Sequence, residues 1–365
     1  MKITHTEIYR LSIPMEPFVI ATGTMAYAQN TFIRIHTDLG TYGVGECSAF
    51  PMIVGETQDT CLVLARDFAK LWKGKDPLAI PERLAELDTF VARNTTIKSA
   101  FDMALYDLAA KHAEVPLYRY LGGRVRDIVT DITVGIGEPK EMAVKALAFQ
   151  EQGAAVLKVK LGKRPAEDIE RIRAIRALVG DLLPIRIDAN QGWSYEEAAI
   201  ALRGLQPFHI QFCEQPMRSY NDNLLPQLRQ ETTIPIMADE SCYDHRDAIR
   251  LATHGACDFI NIKFSKSGGI AEALRIQRAA ADHHIPCMIG GMLESRLALS
   301  AKVHFAFAAP NVQFFDMDTC LLGHLEDPVV GGVQFNGYHL SLPEQPGIGA
   351  DIDPAFLQGC ERWAV

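Results

Sequence analysis

The sequence has no C-x-x-C pair, no H-E-x-x-H, and no G-x-G-x-x-G after a strand-like run. Its eight cysteines, at 47, 61, 213, 242, 257, 287, 320 and 360, are scattered. That fits buried thiols in a reducing cytoplasm and gives no zinc-site spacing. The missing glycine fingerprint removes the marker of a dinucleotide-binding doubly wound sheet. No stretch approaches the roughly 18 apolar residues of a membrane helix. The first seven residues, Met1 to Glu7, lack the apolar core of a signal peptide. Basic excess is also absent: the net charge is −9, which argues against nucleic acid or an anionic membrane as the main partner. What is present is an ordinary globular composition, 48% hydrophobic and 22% charged over 365 residues. That length holds two or three domains, or one barrel with an appendage. The oligomeric state is left open, a homo-oligomer included.

The pattern opens as an antiparallel sheet. Ile3 to Ile13 and Thr31 to His36 alternate apolar and polar, Asp38-Leu39-Gly40 marks a turn, and Tyr42 to Glu46 continues the alternation. Between them, Ile20 to Asn30 reads as a small-residue loop, and Ser48 to Glu56 as a second loop carrying Phe50, Met52 and Ile53. From Thr57 to Leu121 the spacing turns helical, with a closely packed helix over Lys98 to Ala110. Leu121-Gly122-Gly123 ends this region. The expected division is 1–125, 126–326, and a Gly- and Pro-rich tail, 327–365, that packs back on the N-terminal sheet.

Beyond the boundary, short apolar strands end near Thr133, Lys160, Asp188, Glu214, Asp239, Lys263, Gly291 and Asp316, at intervals of 24 to 28 residues. Amphipathic helices fill most gaps, for example Ala166 to Val179, Tyr195 to Leu205 and Ile270 to His283. Eight such strands alternating with helices predict a parallel (β/α) barrel.

Active sites of such barrels lie at the C-terminal strand ends. There the sequence places Lys160, Asp188, Glu214, Asp239 and Lys263 on consecutive strands. A single strand-end carboxylate is usually a cap or a surface charge. Three on adjacent strands would repel unless a cation sits between them, and all-oxygen ligation suits Mg²⁺. Lys160 precedes and Lys263 follows the carboxylates, so the two face each other across a closed barrel. That suits a proton removed from one face of a carbon and returned to the other, with the metal stabilising the developing charge. Lys158 shares Lys160's side of its strand, because side chains alternate. Two close ammonium groups, burial and a metal would each push the base lysine toward its neutral form.

K-x-K at Lys158 to Lys160, Asp188-Ala189-Asn190-Gln191-Gly192-Trp193, Glu214-Gln215-Pro216, Ala238-Asp239-Glu240-Ser241, and Asn261-Ile262-Lys263 through Gly268-Gly269 stand in order along the chain. With these motifs the chain resembles the enolase superfamily, and within it the muconate-lactonising-enzyme-like subgroup. The resemblance implies an α/β fold: a (β/α)₇β barrel under an α+β capping domain built from the N-terminal region and the tail. It also implies that Lys160 and Lys263 are the acid/base pair, that Lys158 assists, and that Thr133 and Gly291, Met292 and Leu293 line the substrate pocket with backbone groups available to a peptide bond. A lysine or histidine base working with Mg²⁺ is general to enolase-superfamily sites.

The substrate clue is Phe315-Asp316-Met317-Asp318-Thr319. An acidic pair facing a mouth already rich in carboxylates is costly unless it meets a cation, and a substrate ammonium is such a cation. A molecule with an α-ammonium and a distant carboxylate is a dipeptide. This D-x-D resembles the motif of the dipeptide epimerases, including L-Ala-D/L-Glu epimerases, whose capping-loop arginine meets the glutamate side chain. That position falls at Gly23 here, and Ile20 to Asn30 contains no arginine or lysine. Val19, Met25, Met52 and Ile53 instead suggest a neutral pocket for small or hydrophobic second residues. The alternatives are N-acylamino acid racemisation, o-succinylbenzoate synthesis, muconate cycloisomerisation, or a non-catalytic barrel binding a metal-carboxylate ligand. Glu294 reads as structural, paired with Arg296.

Overall fold

The computed structural model describes residues 1–365. Three strands open the chain: β1 (Ile3–Ile20), β2 (Gly23–Thr37) and β3 (Tyr42–Ser48), paired antiparallel in that order. β1 and β2 stay paired from Ile3–Thr37 to Ile20–Gly23, so only Ala21 and Thr22 form the turn. The expected loop over Ile20 to Asn30 is therefore mostly strand. Its small residues have low strand propensity, but pairing along the whole of β1 overrides it. The second expected loop holds a short helix, α1 (Pro51–Val54). Helices α2 (Gln58–Trp72), α3 (Ile80–Phe90), α4 (Thr95–His112) and α5 (Leu117–Tyr120) follow. α4 is buried from Thr96 to Ala110 except at Tyr106, because its Ala100, Ala104 and Leu108 lie against the sheet.

Eight parallel strands then alternate with helices: β4 (Ile132–Val134), β5 (Leu157–Lys160), β6 (Ile185–Asp188), β7 (Ile210–Glu214), β8 (Ile236–Ala238), β9 (Phe259–Ile262), β10 (Cys287–Gly290) and β11 (Val312–Asp316). The helices between them are α6 (Pro139–Glu151), α7 (Pro165–Val179), α8 (Tyr195–Leu205), α9 (Leu225–Gln230), α10 (His245–Thr253), α11 (Phe264–Ser267), α12 (Ile270–Asp282) and α13 (Arg296–Ala308). The ladder runs from β4 to β11, and a hydrogen bond from Asp131 N to Phe315 O (3.1 Å) joins its two ends. The expected (β/α)₇β barrel is thus the observed one. In the tail, a strand at Arg362–Ala364 pairs with β1, opposite Glu7 to Tyr9.

The period-two alternation of strands explains the barrel interior. Phe212, Phe259 and Phe314 pack edge to face with Met237 and Met288 as an apolar floor, ring centroids 4.9 to 5.7 Å apart. Two residues further along the same strands stand Glu214, Asn261, Asp316 and Asp239. The floor excludes water, and the next layer up is charged.

Carboxylates cross between the sheet domain and the barrel. Asp102 on α4 accepts from Ile270 N (2.5 Å) and Ala271 N (3.2 Å), capping α12. Glu46 on β3 accepts from Ser295 N, Ser295 Oγ and Ala298 N at the start of α13. A helix cap contributes typically about 1 kcal/mol, and each of these two also joins the domains.

Candidate active site

Strand ends bring the charged residues into one buried mouth. Lys160 closes β5 and its Nζ lies 2.6 Å from Asp188 Oδ2 on β6. Lys263, just after β9, lies 2.7 Å from Asp239 Oδ2. The two lysines sit four strands apart, on opposite walls, with Asp188, Glu214 and Asp239 on the strands between. All five are buried. The β5 and β6 loops that carry Lys160 and Asp188 touch at Gly162: its φ is +95° and a Cβ there would lie 2.1 Å from Ala189 O. Asp168 ties the same loops together, accepting from Gly162 N, Lys163 N and Trp193 Nε1. After β7, Gln215 has a left-handed backbone (φ 33°), and its amide accepts from Asp239 N and Ser241 N. Strain at such a position persists only where the surroundings enforce it, and here it sets the spacing of the Glu214 and Asp239 strands.

Lys158, one pleat deeper, does not simply face Lys160. Its Nζ bridges Asp316 (2.7 Å), Glu214 (2.8 Å) and Asp188 (3.3 Å). Burial alone would lower a lysine pKa, by up to about 3–5 units. Here Asp316, Glu214, Asp188 and Asp131 outweigh it and hold Lys158 well above the ordinary lysine value. Burial likewise opposes the charge on Lys263, and Asp239 and Glu214 override it and raise its pKa. Around Lys158 and Lys263 the carboxylates, not a neighbouring lysine, decide the sign. Lys266, on the turn after Lys263, is a site residue that the sequence pattern does not single out. It donates to Asp239 Oδ1 (2.8 Å), Asp239 O and Asn261 O (3.0 Å), fixing that carboxylate from behind.

Asp316 and Asp318 converge, and a third carboxylate that sequence reasoning missed joins them. Oxygens of Asp131, Asp316 and Asp318 all lie within 4.8 Å of one another. Asp131 accepts from Arg186 Nη1 (2.7 Å) through one oxygen, and its other oxygen is buried without a partner. Burial raises Asp131 to about 7, helped by Asp316 and opposed by Arg186. Burial also opposes ionisation of Asp316, but Lys158 and Lys160 bring it down to about 2. Asp318 is pushed well up by burial, Asp316 and Asp131, and accepts from Thr133 N at 2.7 Å. Period two held the signal: Asp131, Arg186 and Asn261 each stand two residues before a residue already singled out, on the same inward face.

The pocket wall at the end of β10 differs from expectation. Gly291 N donates to Asp316 O, Met292 N to Glu294 Oε2, and Leu293 N to Ser48 Oγ. Those three donors are taken internally. Glu294 pairs with Lys302 at 2.5 Å rather than with Arg296, which binds Asp327.

The β1–β2 hairpin tip covers the mouth. Val19 O accepts from Ile136 N after β4, and Ala21 O accepts from Lys163 Nζ after β5. A Cβ on Gly23 would lie 2.0 Å from Met52 Sδ, and Met25 stands opposite Phe18 in the hairpin. The α1 loop reaches the Asp239 wall through Tyr243, whose hydroxyl donates to Ile53 O (2.8 Å). A cavity of about 360 Å³ opens beside Thr133 among Phe18, Val19, Ile136 and Leu322.

The residues fit a divalent cation. Around the mouth are seven buried carboxyl groups (Asp131, Asp188, Glu214, Asp239, Glu240, Asp316, Asp318) and five buried cations (Lys158, Lys160, Arg186, Lys263, Lys266), an acidic surplus of two. Both Glu240 oxygens are buried without a hydrogen-bond partner, and the only group on Glu214 Oε2 is the Lys158 ammonium. Burial raises Glu214 to about 7, with Asp188 adding to it, whereas Lys263 and Lys266 keep Asp239 far below the carboxylate range against its burial.

Residues 141–356 match the family model "Enolase C-terminal domain-like", and residues 3–122 match "Mandelate racemase / muconate lactonizing enzyme, N-terminal domain". The chain belongs to the enolase superfamily. Within that superfamily it is 44% identical to the D-Ala-D/L-Ala epimerase of Cytophaga hutchinsonii, over 100% of both chains. A crystal structure of the dipeptide epimerase from that organism, complexed with Mg and D-Ala-L-Val, superposes with a TM-score of 0.98 at 43% identity over 100% of both chains. The hydrophobic dipeptide epimerase of Enterococcus faecalis is 37% identical over 96% of this chain and 99% of its own. The N-succinyl-L-Arg/Lys racemase of Bacillus cereus is 31% identical over 98% of this chain and 97% of its own. No helix of the structure is long and apolar enough to cross a membrane.

Proposed function

We propose that this enolase-superfamily protein is a Mg²⁺-dependent dipeptide epimerase, an isomerase that inverts the α-carbon of the C-terminal residue of small or hydrophobic dipeptides of the Ala-Ala and Ala-Xaa type. The observation that carries the reading is the set of opposed lysines, Lys160 and Lys263, flanking Asp188, Glu214 and Asp239, with the Asp316–Asp318 pair on the adjoining wall. The dipeptide epimerases among its relatives support the substrate class.

Asp188, Glu214 and Asp239 would hold Mg²⁺, whose chemistry is to stabilise negative charge developing on a substrate carboxylate. Lys160 and Lys263 are the acid/base pair. One takes the α-proton while the other, still an ammonium, delivers a proton to the opposite face, so the pair carries one proton between them. Lys158, held cationic by three carboxylates, assists by adding positive charge beside the substrate carboxylate. Asp316 and Asp318 accept from the substrate ammonium, and Thr133 sets the position of Asp318 through its backbone N–H. N-acylated substrates lack that ammonium and would leave the acidic pair facing a neutral amide. Gly23, Met25, Val19 and Ile53, with Met52, shape an uncharged space for the second residue. We place the protein in the cytoplasm, where its eight free cysteines would stay reduced.

A dipeptide library incubated in D₂O with Mg²⁺ tests the reading. Ala-Ala and Ala-Phe should gain an α-deuteron and epimerise faster than Ala-Glu, and Lys160→Ala should abolish both events. A clear Ala-Glu preference would sink the specificity, and exchange into no dipeptide at all would sink the activity.

A further inference from the structure

Glu240 follows Asp239 where β8 ends, and it is 2% exposed. Neither of its oxygens has a hydrogen-bond partner. Each other carboxylate of the mouth has at least one: Asn190 N for Asp188, Asn261 Nδ2 for Glu214, Lys263 and Lys266 for Asp239, Lys158 for Asp316, Thr133 N for Asp318 and Arg186 for Asp131. Asp239, Asp188, Lys263 and Glu214 are the charged groups around Glu240, so its carboxyl lies close to the three proposed ligands. Nearby donors are committed elsewhere. Asp239 N and Ser241 N both bond Gln215 Oε1, and the Tyr243 hydroxyl bonds Ile53 O.

A buried carboxylate is normally paired or committed to a metal, because its desolvation is otherwise uncompensated. The chain offers Glu240 no donor, so the donor comes from outside it. Mg²⁺ is octahedral and keeps several of its waters when only a few carboxylates bind it. Metal-bound water is a strong donor whose partners tune affinity. We infer that Glu240 is an outer-sphere ligand, accepting hydrogen bonds from water on the cation held by Asp188, Glu214 and Asp239. The inference rests on the proposed metal site and extends it: Glu240 supplies a fourth negative charge without a direct bond.

The test measures metal binding apart from turnover. Mn²⁺ titrated into metal-free protein is followed by the electron-spin-resonance signal of the free ion, for the parent, Glu240→Gln and Asp188→Ala. Thermal unfolding of the metal-free forms is recorded alongside. Glu240→Gln keeps the shape but loses the charge, so Mn²⁺ affinity should fall about ten- to a hundredfold. The metal-free variant should melt no lower than the parent, since an unpartnered buried charge has gone. Unchanged affinity, or a loss accompanied by a lower metal-free melting temperature, overturns the inference. If Asp188→Ala binds Mn²⁺ as tightly as the parent, the metal site itself is wrong and Glu240 falls with it. If Asp188→Ala loses binding while Glu240→Gln retains it, Glu240 alone is refuted.

Discussion

Gly23 is where a side chain would convert the proposed pocket from neutral to cationic. Its backbone lies outside the left-handed region, so conformation does not demand glycine. The obstacle is Met52, whose Sδ would sit 2.0 Å and Cε 3.1 Å from a new Cβ. Met52 is only half-buried, and an unbranched thioether can turn aside. Gly23→Arg should therefore fold, and Gly23→Arg/Met52→Ala removes the clash outright. If the second residue's side chain points here, a guanidinium would meet the glutamate of Ala-Glu. A hydrogen bond to a charged group contributes about 1.5–3 kcal/mol net, and about 1.4 kcal/mol is tenfold. Gly23 is half-buried rather than enclosed, which favours the lower end. The kcat/KM ratio of Ala-Glu to Ala-Ala should thus rise by about tenfold and by no more than about a hundredfold. Both dipeptides compete in one D₂O reaction with Mg²⁺, and mass spectrometry reads their deuterium. A ratio within twofold of the parent's, in a double variant with native circular dichroism, would refute the placement of this pocket.

Lys160→Ala and Lys263→Ala should each lower epimerisation at least about a thousandfold, within the span attributed to general acid–base catalysis. Coupled-assay rates check this, and comparable activity in either variant contradicts a two-lysine mechanism. Asp318→Asn should raise KM for dipeptides with a free ammonium; an unchanged KM would remove the clamp. Asp131→Asn should do the same more weakly, since Arg186 still holds one side of it. Asp102 is pushed up to about 7 by burial, against the pull of Ile270 and Ala271 N–H. A carboxyl raised above its usual value of 3.8 is penalised when ionised, so stability falls as pH rises from about 4 through about 7. Urea melts at pH 5 and pH 8 should show a smaller difference for Asp102→Asn than for the parent.

The strand ends were legible because short apolar runs stop at near-even spacing, and those from Lys160 to Lys263 each stop on a charge. A repeated strand–helix unit with one charged rim accounts for both regularities. The hairpin was not legible, because the alanines, Gly23, Gln29 and Asn30 dilute the strand-favouring Ile20, Thr24 and Tyr27, and pairing with β1 decides the outcome. Asp131 precedes a strand of only three residues, so its place two before Thr133 was the one sign that it faces inward. That Lys158 is held charged could not be read, because sequence order shows which lysines are close but not that Lys158 stands among three carboxylates. The Gly291, Met292 and Leu293 donors are hidden for a related reason: their partners, Asp316, Glu294 and Ser48, arrive from three separate segments.

Asp102 and Glu46 give the two domains a shared fate. The helices they cap follow the strands bearing Lys263 and Gly291, so the sheet domain finishes two pieces of the barrel wall. A barrel expressed alone would expose both helix ends directly behind the chemistry. Exchanging the whole cap between relatives would require both carboxylates to land on new helices at once. Exchanging Val19 to Met25 or Met52 and Ile53 disturbs neither. New substrates are therefore reached at the hairpin tip and the short loop, while the rest of the cap is bound to its own barrel.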